Sequence, residues 1–147
     1  MEKDEFYLVD ASDADIGILR ELDELAYRPY ITQLVGAWDP SYFPKMFRAS
    51  DYQVVRRGHD IVGFVCVKED ITSVFIRDVV LRPDFQNRGF GSKIIKTIID
   101  GARIKNKKVT LKVFKGNRAV KLYERLGFHT NSEDETSFSM LLDPLSS

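Results

Sequence analysis

Hydrophobic positions along the chain change period several times, and each change marks an element. Phe6 to Val9 reads as a short strand. Ser12, with Asp15 three residues on, resembles a capping pair. It opens a helix whose inward face would be Ile16, Leu19, Leu22, Leu25 and Ala26. Pro29 predicts a stop or a bend, with a second short helix over Tyr30 to Gly36, and the prolines of Trp38 to Pro44 predict turns. Tyr52 to Arg56 and Ile61 to Val67, around Gly58-His59-Asp60, read as a hairpin. Glu69 and Asp70 then turn the chain into a second hairpin, whose far arm is the Val/Ile/Phe-rich run from Val74 to Leu81, ended by Pro83. From Gly91 or Ser92 the period becomes helical, with Ile94, Ile95, Ile98, Ile99 and Ala102 on one face as far as Ile104. Val109 to Phe114 follows as a strand. Alternating with helices, it should lie beside the Val74 strand and parallel to it, through a right-handed crossover. A last helix puts Val120, Tyr123 and Leu126 on one face, with Gly127 as its left-handed cap. Phe128 to Thr130 and Thr136 to Leu142 close the chain as strands around an acidic turn.

The pattern of short strands alternating with helices is an α/β mixture, and 147 residues at 44% hydrophobic suit one compact domain over 1–147. Lys plus Arg equals Asp plus Glu at 22 each, so broad attraction to nucleic acid or to an anionic membrane is not expected. The lone cysteine, Cys66, rules out an internal disulfide and sits in an apolar strand, as an inert buried thiol would. His59 falls on a turn and His129 at a strand start, and no Cys, His or carboxylate cluster has ligand spacing, so no metal is expected. Met1 to Glu5 is too acidic and too poor in apolar residues for a signal peptide, which makes the cytoplasm the default location.

The candidate chemistry lies between the Val74 strand and the isoleucine-rich helix, in Gln86-Asn87-Arg88-Gly89-Phe90-Gly91-Ser92. Glycines just before a helix allow a tight turn that brings backbone N–H groups towards one point. Together with the positive end of the helix dipole, they favour an anion, and Arg88 and Lys93 add full charges. A plain glycine turn is the bland alternative. A P-loop needs G-x-x-x-x-G-K-[ST] and a dinucleotide loop G-x-G-x-x-G; Ile94 stands where the third glycine would be, so neither fits. What fits is Q-x-x-G-x-G, followed by Asn117 and by Leu122-Tyr123-Glu124-Arg125-Leu126-Gly127-Phe128. The pair resembles the signatures of the GCN5-related N-acetyltransferase (GNAT) superfamily, and the resemblance follows element order from Tyr7 to Leu142.

That resemblance implies a mostly antiparallel mixed sheet with a parallel central pair splaying at its C-terminal ends, helices on both faces, and acetyl-CoA as cosubstrate. The pyrophosphate would rest on N–H groups from Gln86 to Ser92, taking in Asn87, Arg88, Gly89, Phe90 and Gly91. The pantetheine arm would pair with backbone at Val79 and Leu81 and hydrogen-bond Asn117. The N–H of Val79 would also meet the oxyanion. The implied reaction is direct acetyl transfer to a primary amine, on a small amine or amino-acid-like molecule, or on a peptide N-terminus or lysine. A CoA-binding sensor module without turnover is the third reading. Tyr123 matches the tyrosine the family keeps near the sulfur. A phenol of pKa about 10 is a weaker acid than a thiol of about 8.5, so hydrogen-bond support of the thiolate is its first role and proton donation its second. Asp78 is the favoured base over a water relay, with Glu69, Asp70 and Glu24 further off. The dense aromatics Tyr27, Tyr30, Trp38, Tyr42, Phe43 and Phe47 either pack helix on sheet or, with Asp39, line an acceptor pocket. By resemblance Tyr30 and Trp38 are the acceptor-binding candidates. The oligomeric state is left open, a homodimer through exposed strands included.

Overall fold

The computed structural model describes residues 6–144. In chain order the elements are β1 (Tyr7–Asp10), α1 (Ile16–Val35), α2 (Tyr42–Met46), β2 (Tyr52–Arg57), β3 (Asp60–Glu69), β4 (Ser73–Leu81), α3 (Phe90–Ile104), β5 (Lys108–Phe114), α4 (Ala119–Arg125), β6 (His129–Glu133) and β7 (Ser137–Leu142). The seven strands run in the order β1-β2-β3-β4-β5-β7-β6. The β4–β5 pair is parallel, and the pairs β1–β2, β2–β3, β5–β7 and β6–β7 are antiparallel. This is the mixed α/β sheet expected from the alternation of patterns. Two compact units divide the chain: one takes residues up to Cys66 together with Asp78–Gln86, the other Val67–Arg77 and everything from Asn87 on.

In the first unit, Leu19 and Leu22 of α1 and Phe43 of α2 are buried with Tyr52, Val54, Phe64, Cys66 and Val80. The rings pack edge-on or tilted, Phe43 against Tyr52 at 5.9 Å and against Phe64 at 6.3 Å, and Phe47 against Tyr52 at 4.9 Å. Offset contacts of this kind match the quadrupoles of the rings as well as burying area. Here the aromatic cluster is core at Phe43 and Phe47, while Tyr42 is exposed. β3 and β4 come so close that a Cβ built on Gly63 would lie 2.2 Å from the Val80 carbonyl oxygen; only glycine fits.

The stop offered at Pro29 does not occur and Leu25 leaves the inward face, both for reasons of solvent. Pro29 neither stops α1 nor separates off a second helix over Tyr30 to Gly36, since α1 is continuous to Val35 and ends on left-handed Gly36. Proline costs a helix because the carbonyl four residues back loses its donor. In this helix that carbonyl belongs to Leu25, and both Leu25 and Pro29 are exposed, so water can replace the lost bond. The same exposure removes Leu25 from the inward face assigned to it, at 62% accessible. The Trp38 to Pro44 stretch, read as turns, also contains the start of α2. Pro44 sits in its first turn, where the missing N–H would have had no helical partner.

In the second unit, α3 buries Phe90, Ile94, Ile95, Ile99 and Ala102, one side of a strongly amphipathic helix. β5 alternates Val109, Leu111 and Val113 inward, and Met140 and Leu142 of β7 do the same. The parallel register joins Ser73–Ile76 to Lys108–Leu111; β4 then continues to Leu81 and β5 to Phe114. Gly127, left-handed at φ 105°, ends α4 as its sequence position predicts. No helix among the described residues is long and apolar enough to cross a membrane.

Candidate active site

The candidate residues fall in both units. In the second unit, Asn87 and Gly89 adopt left-handed backbone at φ 61° and 84°, and Gly89 is the residue that caps α3. Its position requires glycine, because a side chain is strained at that φ; a Cβ there would point into open space, with nothing within 4 Å. The first α-helical bond runs from Lys93 N–H to Gly89 C=O at 3.2 Å. The amides of the first turn, Phe90, Gly91 and Ser92, therefore precede the ladder, at the positive end of a 15-residue helix. The Arg88 guanidinium lies 5.4 Å over the Phe90 ring, a cation held beside those amides by a side chain that is itself anchored in the core.

Further along the second unit, Asn117 sits where β5 gives way to α4. Its Oδ1 accepts from Ala119 N–H at 2.9 Å, a turn bond leading into α4 that fixes which end of the amide is which. The NH₂ end is thereby the one turned away from the helix amides, a donor of the kind that could meet an amide carbonyl. Tyr123 is buried at 9%, its ring edge-on to Phe128 at 5.8 Å.

In the first unit, Gln86 is committed to structure twice. Its backbone N–H donates to Pro83 C=O at 3.3 Å, and its side-chain Nε2 to Leu81 C=O at 3.0 Å. Gln86 thus pins the end of β4, and its own N–H is already bonded within the protein. Val79 and Leu81 are half-buried on that strand end. Asp78 is part-buried, and its Oδ1 accepts from the Tyr27 hydroxyl of α1 at 2.7 Å. Tyr27 stood in the sequence only as one aromatic among several. Its partner lies 51 residues away, and no local pattern marks the pair.

The alternative bases Glu69, Asp70 and Glu24, and the pocket candidate Asp39, have structural work. Lys107 and Lys105 bond Glu69 at 2.6 and 3.0 Å and hold it below the usual carboxylate range. Asp70 is lowered by the backbone N–H groups of Thr72 and Ser73, and so makes the turn before β4. Glu24 pairs with Arg28 one helical turn on, at 2.7 Å. Asp39 is lowered by the Ser41 hydroxyl and then by the Ser41 N–H, a turn ahead of α2. Of the acceptor-side candidates, Tyr30 is half-buried on α1. Trp38 is more telling: among the described residues, its Nε1 is the buried side-chain polar atom left without a hydrogen-bond partner.

The run from β4 through α3 and β5 to α4 lies within a stretch that a sequence-family model also covers. The model of the acetyltransferase (GNAT) family matches residues 19–128. The chain belongs to the GNAT family. Solved GNAT-type structures agree in fold. An acetyltransferase from Thermus thermophilus superposes at TM-score 0.79 with 16% identity, covering 97% of this chain and 99% of that one. The PaiA N-acetyltransferase of Thermoplasma acidophilum, in complex with coenzyme A, gives 0.74 at 16% identity over 95% and 99%. The ribosomal-protein-S18-alanine N-acetyltransferase of Escherichia coli gives 0.70 at 17% over 97% and 96%. No curated protein sequence matches. Identities this low carry the GNAT fold and not an acceptor.

Proposed function

We propose that this GNAT chain transfers acetyl from acetyl-CoA to a primary amine by direct attack, with a small amine or amino-acid-like molecule as acceptor. One observation carries the reading: left-handed Asn87 and Gly89 lead into α3, whose first-turn amides precede the helical ladder, with Arg88 beside them and open space where a Gly89 side chain would stand. Those amides would hold the diphosphate of CoA, the backbone of Val79 and Leu81 would take the pantetheine amides as an added strand, and the Asn117 NH₂ would meet a carbonyl of the arm. Tyr123 would steady the leaving thiolate through its hydroxyl.

The amine sets the harder problem. A lysine-like ammonium near pKa 10.4 and a carboxylate near 3.9 differ so far that simple proton transfer is uphill by about 9 kcal/mol. A carboxylate at Asp78 therefore works late. It takes the proton once the new C–N bond has made the nitrogen acidic, while the neutral amine is the species that attacks. On the acceptor side, Trp38 Nε1 lacks an acceptor atom, and a substrate carbonyl or carboxylate would supply one. A peptide amine is the second reading, favoured by the exposure of Leu25, Val35, Tyr42 and Met46 along α1 and α2. Thiol release from acetyl-CoA in the presence of L-glutamate, spermidine and an alanine-initiated hexapeptide tests the proposal. Release with L-glutamate or spermidine supports it, release with the peptide alone moves it to the second reading, and no release with any overturns it.

A further inference from the structure

The Tyr27–Asp78 hydrogen bond is short, part-buried, and joins a helix residue to the strand residue just before Val79. A phenol has one hydrogen to give, and here it gives it to a carboxylate oxygen at 2.7 Å, within the range of charge-assisted O–H···O⁻ bonds. The bond ties the Asp78 carboxylate to α1 and holds one of its oxygens in place. Tyr27 is in turn held by its neighbours, since its ring packs against the buried cluster of Leu19, Leu22, Tyr52 and Val80.

We infer that Tyr27 is a positioning residue for acetyl transfer, holding the Asp78 carboxylate aimed for the proton that the acceptor nitrogen sheds. The inference rests on Asp78 being the base. When Asp78 accepts the amine proton, the N–H bond breaks and an O–H bond forms on the carboxylate; the phenol keeps its own proton throughout and changes only the strength of its hydrogen bond. Losing the phenol leaves the carboxylate present but without this orienting bond, so the chemical step slows while acetyl-CoA binding is untouched.

The experiment is a double-mutant cycle on the full chain, with acetyl-CoA and an alanine-initiated hexapeptide, spermidine or L-glutamate, whichever releases thiol fastest with the unaltered protein. Tyr27→Phe should lower kcat about tenfold with KM for acetyl-CoA unchanged, and the same substitution made on Asp78→Asn should cost nothing further. An equal loss of kcat in both backgrounds makes Tyr27 a structural tie and overturns the inference. So does an unchanged kcat in Tyr27→Phe beside a slowed Asp78→Asn. A full-rate Asp78→Asn instead overturns the base assignment on which the inference stands, a result distinguishable from either. Should Tyr27→Phe fail to fold, 3-fluorotyrosine at position 27 keeps the oxygen and makes it a stronger donor. It must then change kcat, and an unchanged value overturns the proposal equally.

Discussion

Single atoms carry much of the argument, and Tyr123 shows how their roles can be separated. Its ring packs on Phe128 within the core, so Tyr123→Phe keeps the packing and deletes only the hydroxyl. Turnover should fall roughly tenfold or more, the worth of a hydrogen bond to a charged group, while calorimetric CoA affinity stays level. Unchanged kinetics would return the residue to a purely structural role. Trp38 is tested in the same spirit. Trp38→Phe removes a buried donor that has no protein partner, and should raise KM for the acceptor while leaving KM for acetyl-CoA alone. Asp134 concerns stability instead. Backbone N–H of Thr136, the Lys112 ammonium and Ser137 N–H lower its pKa from 3.8 to about 2. A depressed pKa stabilises the fold above the unfolded value and loses that contribution as pH falls through the folded one. Asp134→Ala should therefore lower Tm at pH 7, and the gap from the unaltered protein should close between about pH 4 and about pH 2. A gap that stays constant over that window would contradict the assignment.

Elements set what those atoms can do. A methyl group at Gly63 would meet the Val80 carbonyl at 2.2 Å, and neither backbone can yield cheaply. Gly63→Ala should cost about 1–3 kcal/mol by chemical denaturation, and should slow acetyl transfer through the displaced strand end at Val79 and Leu81. The cap of α3 gives the complementary case, where space is open and charge decides. Gly89→Glu should weaken CoA binding by roughly a hundredfold or more by putting a carboxylate in the proposed diphosphate cradle. Gly58→Glu, equally left-handed and equally open but on the β2–β3 turn, should leave binding intact and so accounts for the strain of the substitution. The sequence made α3, its glycine entry and the β2–β3 hairpin readable, because each is dictated by local period and turn chemistry. It misjudged α1, because whether Pro29 breaks a helix depends on whether water reaches the orphaned Leu25 carbonyl. That is a fact about exposure, and no short window contains it.

At the scale of the whole molecule, the readable part was the order of elements, and with it the GNAT fold. The Asp78 carboxylate was visible as a polar residue interrupting an apolar strand, yet its phenol donor was not, since a bond across 51 residues appears only when the chain folds. The buried Trp38 nitrogen was invisible for the same reason. The acceptor follows from such long-range placements, whereas the cofactor end follows from a contiguous stretch. The central claim is therefore about that stretch, and it has a direct test in a titration of ¹⁵N-labelled protein with CoA, followed at the amides of Asn87 to Ser92. Saturable shifts concentrated at those amides, and lost in Gly89→Glu, are the predicted result; binding that leaves them unmoved, or no binding at all, would contradict the account.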